Sequence, residues 1–170
     1  MMLNRRRMMN KQEENEMKEW KLIYDSGATT EEIISTSKIN VSGCDELMII
    51  AKVVPTDTNK GTRSGHLIIM SPEGNKCKCI LGNNLLSQNG NARMSIALVR
   101  KVIEFIYVDT ATSWNATDVF NDGHPVDNLT SMQNTIVKFE GEINEIYLTN
   151  LNEASDYRFG VGSRFAVYAR

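Results

Sequence analysis

Proline, histidine and cysteine are few in this chain, and each scarcity narrows what it can be. Three prolines in 170 residues leave no proline-rich linker or repeat. The two histidines, His66 and His124, stand beside no Ser or Cys in a nucleophile motif, so a hydrolytic triad is not expected. The three cysteines, Cys44, Cys77 and Cys79, are an odd number and do not make a disulfide framework. They read as reduced, partly buried structural residues. Cys77 and Cys79 share one face of a strand, but with only two histidines to join them a zinc site is not expected. No apolar run approaches the ~20 residues of a membrane span, so membrane insertion is not expected. Arg5-Arg6-Arg7 has no apolar stretch behind it, which argues against a signal peptide and for synthesis in a cytoplasm. A net charge of −2 argues against a general nucleic-acid binder.

What the chain does have is short β-type runs. The richest is Glu46–Val54, where only Lys52 interrupts the apolar residues from Leu47 onward and Pro55 stops the run. Its Ile and Val content favours a strand. Both alternating faces are apolar, Leu47, Ile49, Ala51 and Val53 on one and Met48, Ile50 and Val54 on the other, so it belongs in the middle of a packed structure.

Around it lie further strand signals at 20–24, 38–41, 66–70, 76–81, 91–99, 102–108, 135–139, 143–149 and 163–170. Arg100-Lys101 is the expected turn between the 91–99 and 102–108 strands. Residues 56–65 and 82–90 read as loops, and 109–135 is the longest stretch without a clear period. No βαβ alternation appears. The expectation is all-β: an antiparallel β-sandwich, jelly-roll-like, of about eight to ten strands.

Residues 1–19 differ. They hold Arg5, Arg6, Arg7, Met8 and Met9, then a Lys/Glu-rich stretch with no Gly, Pro or β-branched residue. These are good helix formers with few apolar positions, so two segments are expected. Residues 1–19 form a short helical or extended arm for attachment or oligomerisation, and 20–170 form the sandwich domain.

Chemistry-bearing residues gather in the aperiodic stretch. Trp114, flanked by Ser113 and Asn115, either stacks on a sugar ring or pins the loop to the sandwich. Asn115, Asp122, His124 and Asp127 could bond the hydroxyls of the same ligand. Asp122 and Asp127 lack calcium-loop spacing, and loops recruit Asp for turns in any case. No catalytic residue, cofactor or metal is expected.

Three features together carry a resemblance: Trp20-Lys-Leu-Ile opening the first strand, Val41-Ser-Gly-Cys-Asp-Glu-Leu-Met-Ile-Ile-Ala51, and Gly162-Ser-Arg-Phe-Ala-Val-Tyr-Ala-Arg170. Residues 20–170 resemble the β-sandwich (jelly-roll-like) domains of tailed-phage and prophage structural proteins, of the tail-fibre or receptor-binding and head-fibre or decoration types. Leu3–Met9 resembles the arm that often precedes such domains. The resemblance implies a non-enzymatic virion protein and a homotrimer. It also implies contact with other virion proteins through the arm, and contact with a host surface glycan or protein. A stand-alone carbohydrate-binding, lectin-like module is the alternative expectation.

Overall fold

Strand β3, Glu46–Val53, lies inside a six-stranded sheet, hydrogen-bonded to the last strand on one side and to β6 on the other. The computed structural model describes residues 19–56, 61–87, 92–113, 129–150 and 157–170. Within them are ten strands: β1 Lys21–Asp25, β2 Ile39–Asn40, β3, β4 Thr62–Met70, β5 Lys76–Ser87, β6 Arg93–Val102, β7 Phe105–Ser113, β8 Leu129–Lys138, β9 Glu145–Thr149 and β10 Arg164–Ala169. They form two sheets, ordered β1-β10-β3-β6-β7-β8 and β2-β9-β4-β5, and every pairing is antiparallel. The fold is an all-β sandwich. Residues 1–18 of the expected arm, with Arg5, Arg6, Arg7, Met8 and Met9, lie outside the described residues.

The inner faces make the core. Leu47, Ile49, Ala51 and Val53 of β3 pack with Ala97 and Val99 of β6 and with Phe165, Val167 and Ala169 of β10. Leu67 and Ile69 of β4, Cys79 and Leu81 of β5, and Ile146 and Leu148 of β9 face them from the other sheet. Phe159 closes the layer, its ring edge-on to Phe165 at 4.9 Å between centroids. The cysteines are free, and Cys77 and Cys79 are core residues. A hydrogen bond between these two thiols holds Cys77 below its ordinary pKa and, together with burial, pushes Cys79 far up.

The outer face of β3 is apolar as the sequence indicates. Met48 and Ile50 meet Met94 and Ile96 of β6 and Tyr168 of β10 in a second, small cluster on the exterior of the six-stranded sheet.

Several sequence boundaries move. The β6–β7 hairpin turns at Ile103-Glu104, not Arg100-Lys101. Lys101 instead sends its ammonium to the carbonyls of Ile103 and Phe139. Ile103 takes the left-handed region, φ 53°, which is uncommon for a β-branched residue. The stretch 56–65 gives up Thr62–Gly65 to β4, and 82–90 gives up Gly82–Ser87 to β5, where Leu85 and Leu86 are buried. The long aperiodic stretch is mostly strand at both ends, because β7 runs on to Ser113 and β8 begins at Leu129. His66 of β4 is only 6% exposed.

Candidate functional site

The pairings fix which connections share an end of the sandwich. Val53 pairs with Arg93, Met94 with Ser113, Ser113 with Leu129, and Thr62 with Ser87. The connections after β3, after β5 and after β7 therefore all leave from one end, as does the chain after β9. The opposite end carries the tight turns at 41–45, 71–75 and 103–104. Function-bearing loops on a rigid sandwich cluster at such an end.

Trp114, Asn115, Asp122, His124 and Asp127 all belong to the 114–128 connection at this end, and all five lie outside the described residues. What the structure defines is their frame. The connection leaves β7 at Ser113 and enters β8 at Leu129, and these two residues are paired.

Beneath that end the space between the sheets turns from apolar to polar. Arg93, Ser95, Thr110 and Thr112 are all buried on the inner faces of β6 and β7. Ser95 donates its hydroxyl to the Leu81 carbonyl, and Thr110 Oγ1 lies 3.4 Å from the Gln133 carbonyl. Arg93 donates to the Asn84 carbonyl at 2.6 Å, and burial lowers its pKa from the ordinary value. Asn84 itself has φ 55°. These bonds end on backbone oxygens of β5 and β8, so this layer fastens the roots of the connections. Sequence reading missed it because hydroxyl residues at alternate positions erase the hydrophobic period while leaving the strand intact.

Gly82 is part of the same fastening. A Cβ there would sit 2.7 Å from Thr112 Oγ1 and 3.1 Å from Ser95 Oγ, so β5 approaches the other sheet as closely as it does only with glycine. Near the same end Arg63 lies 5.2 Å from the Tyr157 ring, and Asn150 donates to the Tyr157 carbonyl at 2.5 Å.

His66 lies on the outer side of the four-stranded sheet, opposite Ile80 and Thr149. Burial, reinforced by the positive charge of Lys78, pushes its pKa down to about 4. Its Nδ1 is buried and receives no hydrogen bond. Among the described residues no group of three or more His, Cys, Asp or Glu side chains is placed to hold a metal ion. No helix among them is long and apolar enough to cross a membrane.

The second surface feature is apolar. On the outside of β6, β7 and β8, Leu98, Val102, Phe105, Met132 and Ile136 are exposed, and Ile103 adds a side chain 89% exposed at the hairpin tip. The ladder brings Val102 beside Phe105, Tyr107 beside Ile136 and Ala111 beside Met132. The same face carries the Arg100–Asp109 ion pair, Asn134 and Lys138 between these apolar side chains. Comparison of the chain with protein-family models and with curated proteins finds no match.

Proposed function

We propose that the protein is a non-enzymatic structural component of a tailed-phage particle, displaying its β-sandwich on a tail fibre, baseplate or head. The observation that carries the assembly part of this reading is the exposed apolar face of β6, β7 and β8, from Ile103 at the hairpin tip to Met132. The particle itself rests on the resemblance of residues 20–170. In this reading residues 1–19 attach the domain to other virion proteins. The 114–128 connection, with Trp114 and its polar neighbours, is the part that meets a host surface glycan or protein.

The test is quantitative mass spectrometry of gradient-purified particles from cells that make the protein. The full chain is expected in the particles at a fixed ratio to the major coat protein, and a chain lacking residues 1–19 is expected to be lost from them. Absence of the full chain from the particles overturns the reading. Unchanged incorporation of the truncated chain overturns the attachment role of the arm.

A further inference from the structure

A sheet edge is a row of unpaired backbone groups, and proteins normally blunt it. Among the described residues this sandwich has four edges, β1, β8, β2 and β5. Three are blunted. Strand β1 has five residues, charged at both ends, and its register slips between Leu22 and Tyr24. Strand β2 has two residues. Strand β5 carries Lys76 and Lys78 and pairs irregularly around Gly65. Strand β8 is the exception. It runs ten residues, Leu-Thr-Ser-Met-Gln-Asn-Thr-Ile-Val-Lys, with no proline and no charge before Lys138. Its one register shift lies at the Leu129 end.

We propose that β8 is a homodimerisation edge, through which two copies of this chain pair antiparallel with Asn134 facing its own counterpart on the two-fold axis. The side chains select this register. Met132, Asn134 and Ile136 share the outer face. With Asn134 on the axis, Met132 lies opposite the partner's Ile136, and Ile136 opposite the partner's Met132. Met132 is 77% exposed and Ile136 63% exposed, so these two apolar side chains cover each other twice. Centring the pair on Gln133 or Thr135 sets Met132 or Ile136 against a polar residue instead. No like charges are opposed, because Lys138 falls opposite the partner's Thr130.

On the inner face the same register sets Gln133 opposite the partner's Thr135, two polar residues. A two-fold of this kind makes one continuous sheet through both copies and extends the apolar outer face across them. It needs nothing of the particle reading, and it differs from the threefold assembly that the resemblance implies.

The full chain decides the matter by light scattering at micromolar concentration. The expected mass is about twice 19.2 kDa. Asn134→Lys sets two ammonium groups against each other on the axis and is expected to weaken the dimer by about 100-fold. Asn134→Cys is expected to give a disulfide-linked dimer on mild oxidation, above the background from Cys44, Cys77 and Cys79. Met132→Cys, which lies off the axis, is not. If Asn134→Lys fails to fold, the cross-link decides alone. A monomer, a trimer, or a dimer that cross-links no better through position 134 than through position 132 overturns the proposal. Each of these results leaves the particle-incorporation test unaffected.

Discussion

The guanidinium of Arg170 lies 4.5 Å from the ring centroid of Trp20, and its Nε donates to Glu46 Oε2 at 2.5 Å. One side chain thereby ties the residue that leads into β1 to the first residue of β3, across β10. A partly desolvated cation on an indole contributes about 0.5–1 kcal/mol, and a part-exposed ion pair about as much. Arg170→Ala is therefore expected to destabilise the fold by about 1–2 kcal/mol. Arg170→Lys should recover only part of this, since a lysine cannot stack and bond together as a guanidinium does. Urea unfolding checks both, and equal midpoints for the parent and Arg170→Ala would remove the clasp from the account.

Gly160 tests how closely two backbones approach. A Cβ there would lie 2.7 Å from the Val54 carbonyl oxygen and 2.9 Å from that of Pro55. The Gly160 amide also donates to the Val54 carbonyl at 3.0 Å, so neither strand end can retreat without losing a bond. Gly160→Ala should cost about 2–3 kcal/mol, read as a fall in melting temperature. Gly27→Ala serves as the contrast, because it meets no atom within 4 Å and carries only the strain of its φ of 62°.

At Ile103 the opposite sign is expected. A β-branched residue at φ 53° is strained, and its exposure means that little burial is lost on replacement. Ile103→Gly or Ile103→Asn should stabilise the chain by about 1 kcal/mol. If the same variants weaken a partner contact, the strain is kept for that contact. A destabilised variant in isolation would mean that the turn geometry is wrong.

His66 makes stability depend on pH. Its pKa falls from 6.5 to about 4 because burial, and then Lys78, disfavour the imidazolium. Between those values the unfolded chain binds the proton and the folded chain does not, so stability falls as pH drops from about 6.5 to about 4. The loss is bounded at about 3 kcal/mol. Asp25, held below its ordinary value chiefly by the hydrogen bonds of Arg164, adds its own loss only at lower pH, below 3.8. The urea midpoint of His66→Leu should change much less across this window than that of the parent. Parallel curves would assign the acid sensitivity elsewhere.

The strands with greasy alternation were legible in the sequence. The inner residues of β3 are the clearest case, because aliphatic side chains at every second position have one placement in a sandwich. Where the interior is polar the signal vanished. Thr110 and Thr112 point inward like Ile106 and Val108, yet their hydroxyls break the apolar alternation, so the pattern ends β7 early. Gly82 and Asn84 disguised β5 in the same way, one for close approach and one in the left-handed region. The burial of His66 was not legible, because its ladder partners Ile80 and Thr149 are distant in the chain. Trp114 and Asp122 were singled out from composition alone, and the structure defines only the strand ends that hold their segment.

The pairing of Ser113 with Leu129 has a consequence for how such a chain can change. The sandwich meets the fifteen residues between them as a closed loop of fixed span. Doubling such a loop costs only about 0.6 kcal/mol in closure entropy, while the hydroxyl and arginine bonds beneath keep the strand ends where they are. Closure entropy therefore sets little limit on the length of the connection between these two strand ends.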